Sequence, residues 1–228
     1  MIETDVIDLK LQILKNLELF SELNDEDLLE LANISVLCTV EKGTIIYRQG
    51  NKPESIYIIS EGKIKSFSYS LSGRTLIANV SADIIGLQNI FSGEPLWVSA
   101  EAMNRVTALK VNGNEFRSFI ECKPRLLMKI LRRAEKTMTC LFNRLNVLAD
   151  CSADQRVIDI LFCLYEKFGI VLPFRMAEIA ALSGLTRETT IRVTSRLKKD
   201  GIIRSIRTAI VVTDIDRLRK LTHYHPLL

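Results

Sequence analysis

The stretch from Met176 to Lys199, MAEIAALSGLTRETTIRVTSRLKK, constrains the chain most, because it reads as two short helices joined by a tight turn. Ala180 is small where two helix backbones would cross, and Gly184 stands where the turn needs a positive φ. Leu185 plugs the corner and Thr186 suits the N-cap of the next helix. Val193 and Leu197 are four apart and face inward, with Thr190 one turn earlier. The opposite face carries Arg187, Glu188, Ile191 and Arg192. The expectation is a helix-turn-helix whose second helix offers a charged edge to DNA.

The charge distribution agrees. Residues 152–228 hold 13 Lys/Arg against 8 Asp/Glu, whereas residues 1–151 hold 18 against 19, so the excess of +4 lies with the helix-turn-helix. With 47% hydrophobic residues in a chain of 228, there is material for one or two packed cores. Cys38, Cys122, Cys140, Cys151 and Cys163 are scattered, with no C-x-x-C pair. That spacing argues against a zinc site, a clustered iron–sulfur motif and a disulfide framework, so no metal site is expected. The opening MIETDVIDLK has no apolar signal core, and no run of about 20 apolar residues would span a membrane. A cytoplasmic protein is expected.

Residues 6–34 read as one or two short helices, with Leu9, Ile13, Leu14 and Leu17 on one face and Leu28, Leu29 and Leu31 in the second. From residue 36 to 120 the character changes. TIIYRQG, SIYIISEGKIKSFSYS, TLIANVS and RVTALKVN are short, rich in β-branched and aromatic residues, and punctuated by glycines at turn spacing. An antiparallel sandwich or barrel is implied, with a return helix near Glu115–Ile120.

Pro124 opens a long helix running to about Ala149. Leu127, Leu131, Ala134, Met138, Leu141, Leu145 and Leu148 recur at alternating spacings of four and three, a heptad seam over about three heptads. Dimerisation through that seam is expected, with Ile130, Phe142 and Val147 facing the β domain. Cys151–Ala153 is a small-residue hinge, and a helix Asp154–Lys167 follows. After Asp200–Gly201, the segments IIRSI and AIVVT alternate as a two-stranded wing, and Asp214 caps a last helix, Ile215–Leu221. The fold class is therefore α+β, in three parts. Residues 1–123 are expected to form a β domain with flanking helices, 124–150 a dimerisation helix, and 151–228 a winged helix-turn-helix.

The order of parts resembles the CRP/FNR family of bacterial transcription regulators. The matching residues are Lys42-Gly43, Ile46 and Gly50; Tyr57, Ile59, Glu61, Gly62 and Ile64; IAALSGLTRET at Ile179–Thr189 with Arg192; and Gly201-Ile202-Ile203 entering the wing. Four such segments in order, with a heptad helix between, cover nearly the whole chain. The resemblance implies a cyclic-nucleotide-binding-like β-roll of the jelly-roll type, a dimerisation helix and a DNA-binding winged helix-turn-helix.

The second helix can be read chemically beside that. Arg187 lies in the first turn, where a recognition helix aims at base edges, and a guanidinium bonds guanine O6 and N7 bidentately. Glu188 can accept from cytosine N4, and Arg192 reaches a second guanine or a phosphate. The three match the Arg-Glu-x-x-x-Arg pattern by which similar proteins read a TGTGA-like half-site. Two departures change that expectation. Ile191 stands where the resembling family usually has Gly or Ser, which would put an apolar group against a thymine methyl. Thr190 replaces a usual Val or Ile, and its hydroxyl needs a partner such as a carbonyl one turn back. Arg175, Thr186, Thr189, Lys198, Lys199, Arg204 and Arg207 are candidate phosphate contacts.

In relatives that bind cyclic AMP, a Glu holds the ribose and an Arg the phosphate. Here Leu87 occupies the Glu position, and no Arg lies between Arg74 and Arg105. Cyclic AMP is therefore not the expected effector, although Ser99 keeps one phosphate-type hydroxyl. Haem through histidine is also a poor fit, since His223 and His225 lie at the C-terminal end, leaving Cys or Met ligation open. Cys38, Cys122 and Cys140 read as buried inert thiols rather than redox sensors. A candidate effector pocket includes Gly86, Leu87, Gln88, Trp97 and Ser99, either taking a small organic ligand or filled by its own side chains. The cofactor is unknown.

The expected protein is a homodimeric transcription regulator that reads an inverted repeat in double-stranded DNA, with RNA polymerase as a further partner if it activates. It is not expected to be an enzyme, since no paired carboxylates, nucleophile–His set or phosphate-cradling loop is present. The competing reading is a ligand-binding regulatory subunit whose basic C-terminal domain docks a protein.

Overall fold

The computed structural model describes residues 2–70, 73, 75–81, 83–87 and 89–223. Two compact units divide within the long helix: Met1–Ser68 with Ala78–Ala134, and Tyr69–Ile77 with Glu135–Leu228.

The first unit opens with α1 (Ile2–Lys15) and α2 (Asp25–Asn33), the latter capped by Asn24, whose side chain accepts from Asp27 N–H. Ile13, Leu14, Leu28 and Leu31 are buried as expected, but Leu9 and Leu29 are exposed. Eight strands follow: β1 (Ser35–Val40), β2 (Ile45–Tyr47), β3 (Ser55–Glu61), β4 (Ile64–Tyr69), β5 (Thr75–Ser81), β6 (Ile84–Ile85), β7 (Ser99–Ala102) and β8 (Val106–Asn112). They form two four-stranded sheets, ordered β1-β8-β3-β6 and β2-β7-β4-β5. The unit closes with α3 (Gly113–Glu121) and the start of α4 (Pro124–Asp150).

Burial explains why the strands of the first sheet are apolar on both faces. Successive side chains of a strand point to opposite sides. Ile56, Ile58, Ile84, Leu109 and Val111 share one cluster with Leu14, Leu31, Phe116, Leu126 and Ile130 from the helices. Ile59, Ile85, Val106 and Ala108, of the other parity, share a second cluster with Ile64, Ala100 and Ala102 from the second sheet. The first sheet is thus the middle layer, helices on one side and the second sheet on the other.

On α4 the seven seam residues Leu127, Leu131, Ala134, Met138, Leu141, Leu145 and Leu148 are all exposed in the single chain. Leu126 and Ile130 are buried on the first unit's core, and Arg144 and Val147 in the second unit. Phe142 is 64% exposed, contrary to expectation. At about 100° per residue it falls on the flank of the seam opposite Ile130 and Val147, so no burial of those two could cover it.

The second unit continues with α5 (Ala153–Phe168), capped by Ser152, then β9 (Val171–Leu172), α6 (Met176–Ser183), α7 (Arg187–Lys199), β10 (Ile203–Ile206), β11 (Ala209–Val212) and α8 (Ile215–Leu221). The wing has three strands, ordered β10-β11-β9, because Val171–Leu172 pairs with β11 before Pro173 turns the chain into α6.

Gly86 shows how tightly the roll closes. Its φ is +89°, and a Cβ there would lie 2.6 Å from the Ser55 carbonyl oxygen. Gly86→Ala is expected to cost at least about 2 kcal/mol, strain and clash together. Gly93→Ala, at φ +70° but in open space, should cost only about 1 kcal/mol. Equilibrium denaturation of both variants measures the difference.

Candidate nucleic-acid interface

The turn between α6 and α7 is built as its residues require. Gly184 takes φ 65°, ψ 30°, and Leu185 N–H reaches back to the Ala180 carbonyl at 3.0 Å. Arg175 precedes α6, and Glu178 Oε2 accepts from its N–H at 2.8 Å. Arginine has no acceptor, so only this half of a capping box forms. Thr186 caps α7, its Oγ1 accepting from Thr189 N–H at 3.2 Å and lying 3.1 Å from Thr189 Oγ1.

One face of α7 is fully used by packing. Thr190, Val193, Thr194 and Leu197 are each at most 2% exposed. Thr190 donates to the Thr186 carbonyl at 2.9 Å, and Thr194 to the Thr190 carbonyl at 2.9 Å. The hydroxyl that the sequence left in need of a partner finds it one turn back. Arg187, Glu188, Ile191 and Arg192 occupy the exposed side together, with Ile191 42% accessible. Arg175, Lys198, Lys199, Arg204 and Arg207 are exposed as well. Thr189 is half-buried. Arg196, which no motif singled out, pairs with Asp154 of α5 at 2.7 Å. Arg217 donates to the Asp200 carbonyl at 2.7 Å, a cation at the C-terminal end of α7.

A buried cation anchors this unit. Arg144 is 8% exposed and donates to the Leu182 carbonyl, in the last turn of α6, at 2.8 Å. Burial pulls its guanidinium pKa below the usual arginine value, while the negative end of α6 favours the charge. A Cβ on Gly184 would lie 2.9 Å from Leu148 Cδ2, so the end of α4 also touches the turn itself. Arg144 escaped sequence reasoning because its partner is a backbone carbonyl 38 residues away.

Comparison with known proteins settles the family. A family model described as a cyclic nucleotide-binding domain matches residues 37–122, and one described as a Crp-like helix-turn-helix domain matches residues 155–221. The chain belongs to the CRP/FNR family of transcription regulators. Similar proteins include the nitrogen fixation regulation protein FixK of Bradyrhizobium diazoefficiens, 26% identical over 88% of each chain. A CRP-like cAMP-activated global transcriptional regulator of Mycobacterium tuberculosis is 25% identical over 78% of this chain and 84% of its own. Among solved structures, FixK2 from Bradyrhizobium japonicum superposes with a TM-score of 0.74 at 21% identity, covering 84% of this chain and 99% of that one.

In this CRP/FNR chain the expected effector residues differ in exposure. Gly86 is buried against Ser55 and Ile56, and Leu87 packs on the helix-side core beside the fully buried Ile90. Ser99 is buried, its Oγ accepting from Gln49 N–H at 3.0 Å. Trp97 is 67% exposed, so it is not a core residue. Gln88 lies outside the described residues. Tyr47, on β2 of the second sheet, has its phenol pushed up to about 12 by burial, with Ser66 and the Gly86 backbone pulling the other way. Among the cysteines expected to be inert, Cys38 is half-buried and burial raises its thiol, but Cys122 is exposed and Cys140 half-buried. Among the described residues, no helix is long and apolar enough to cross a membrane.

Thr190→Val tests the packing account of α7. The Thr186 carbonyl keeps the Thr190 N–H at 3.1 Å, so losing the hydroxyl should change stability by no more than about 1 kcal/mol. A thermal melt checks this.

Proposed function

We propose that the chain is a sequence-specific DNA-binding transcription regulator, dimeric on an inverted-repeat operator, answering to an effector other than cyclic AMP. The observation that carries the reading is the division of α7. Its inward face is filled by Thr190, Val193, Thr194 and Leu197, which leaves Arg187, Glu188, Ile191 and Arg192 free for base edges. Arg187 and Arg192 read guanines, Glu188 a cytosine, and Ile191 a thymine methyl, so the half-site departs from TGTGA. Arg175, Thr186, Thr189, Lys198, Lys199 and Arg207 hold the phosphates and set the register.

The heptad seam supports the dimer: a row of exposed leucines at coiled-coil spacing on a 27-residue helix is an apolar surface that a second copy can cover. Signalling then runs along α4. An event in the β-roll shifts packing along the seam, and Arg144 carries the shift to α6. The two reading helices turn about Cys151–Ala153 until they match major grooves about 34 Å apart. Cyclic AMP is disfavoured because Leu87 stands at the ribose position and no arginine lies between Arg74 and Arg105 to pair a cyclic phosphate. The protein is a cytoplasmic regulator rather than an enzyme, and RNA polymerase joins its partners if it activates.

Selection from random duplex DNA should yield a preferred inverted repeat. Arg187→Ala should lower affinity for it roughly five- to hundredfold, with affinity for unrelated DNA little changed. Binding should weaken steeply with salt; a flat salt dependence would favour docking to a protein instead. Leu141→Asp with Leu145→Asp should halve the mass on a sizing column, and a dimer that persists would refute the seam.

A further inference from the structure

The fold brings together three side chains that the cysteine spacing gave no reason to join. Cys151 follows the last residue of α4, Asp159 lies in the second turn of α5, and His223 lies just beyond α8. One donor atom from each, a thiol sulfur, a carboxylate oxygen and an imidazole nitrogen, lie within 4.8 Å of one another. Asp159 is 1% exposed, Cys151 half-buried and His223 exposed.

The carboxylate of Asp159 is used on one side only. Its Oδ1 accepts from Gln155 Nε2 at 2.8 Å, Thr222 Oγ1 at 2.7 Å and the His223 N–H at 3.1 Å. Its Oδ2 is buried without a hydrogen-bond partner. An acceptor left so is costly in a folded chain. The bond from Asp159 to the His223 N–H also holds the backbone of that residue beside the hinge.

We propose that Cys151, Asp159 and His223 bind a divalent transition-metal ion of the Zn2+ class. A thiolate with an imidazole selects such ions over Mg2+ and Ca2+, and one carboxylate completes three protein donors. The exposed side of His223 leaves a fourth position to water. Around tetrahedral Zn2+ the donors stand about 3.3–3.8 Å apart, so the cluster closes by about 1 Å, which rotation of Cys151 and His223 supplies. Gln155 and Thr222 hold the other carboxylate oxygen, the outer support such a ligand needs.

The ion would tie the end of α4, α5 and the segment after α8 to one point. Arg156 already gathers the same corner, donating to the Cys151 carbonyl at 3.0 Å and to the Leu148 carbonyl at 2.6 Å. Metal would therefore act on the hinge itself rather than on the β-roll. That regulatory consequence rests on the DNA-reading function; the site does not.

The test uses the untagged full-length chain, stripped of metal with a chelator and titrated with Co2+, then Zn2+. One Co2+ per chain should bind with tetrahedral visible absorption and a thiolate-to-cobalt charge-transfer band, and Zn2+ should displace it. Cys151→Ser should abolish that band and, like His223→Ala, weaken binding by more than about tenfold. Asp159→Asn should weaken it too while keeping the bonds to its retained oxygen. Metal-free melting temperatures close to that of the parent chain would show that the variants fold. Absence of stoichiometric binding, or a charge-transfer band that survives Cys151→Ser, would overturn the site. Zn2+ should also change affinity for the selected DNA severalfold. Stoichiometric metal without that change would overturn the regulatory role alone. Absence of sequence-specific DNA binding both with and without metal, with the absorption intact, would instead count against the DNA-reading function.

Discussion

One helix has to satisfy two sets of partners, and the rest of the molecule depends on how it does so. Leu126 and Val147 on α4 are three heptads apart, and Ile130 and Arg144 are two. The buried stripe thus repeats in the same register as the exposed seam from Leu127 to Leu148. A heptad repeat drifts about 20° per turn of the pattern on a straight helix, and because both stripes drift together they keep a constant angle between them. Within each unit the helix buries residues beside an apolar row that stays exposed. Phe142 and Met128 lie on the other flank, and both are exposed.

At its C-terminal end that flank changes chemistry. Where the N-terminal half buries Leu126 and Ile130, the second half buries a guanidinium. A buried cation is tolerable only where something negative meets it. The Leu182 carbonyl in the last turn of α6 accepts from Arg144, a directional bond between α4 and α6. Since the Gly184 turn sets α7 relative to α6, the bond from Arg144 to α6 and the Leu148 contact at the turn help position the exposed Arg187 edge from α4. The first unit carries a comparable clamp: Arg133 of α4 bonds Asp83 through both nitrogens, at 2.5 and 2.8 Å, two residues before the close-packed Ile85–Gly86.

Features governed by local periodicity were legible in the sequence, and features made by distant encounters were not. The seam, the Gly184 turn, the Thr186 cap and the outward set on α7 each follow from residues within a turn or two of one another. The strands β6 and β7 carry too few residues to show alternation, so Ile84–Ile85 and Ser99–Ala102 could not be read as strands. β9 is legible only through its pairing with β11, some 40 residues on. The Cys151–Asp159–His223 cluster was the least accessible, because C-x-x-C rules look for ligands near in sequence and His223 is 64 residues from Asp159.

The β-roll and the hinge at Cys151–Ala153 differ in chemistry. Leu87 and the fully buried Ile90 pack on the helix-side core, and apolar burial of that kind stabilises the roll. Such a domain can still transmit strain, since interiors packed this closely have discrete arrangements rather than soft ones. The hinge offers the opposite chemistry: small residues, a buried carboxylate oxygen without a partner, and a thiol and an imidazole nearby. A signal there would need no pathway through the roll. It would act on the joint between α4 and α5, beside the contacts of Arg144 and Leu148 with α6 and its turn.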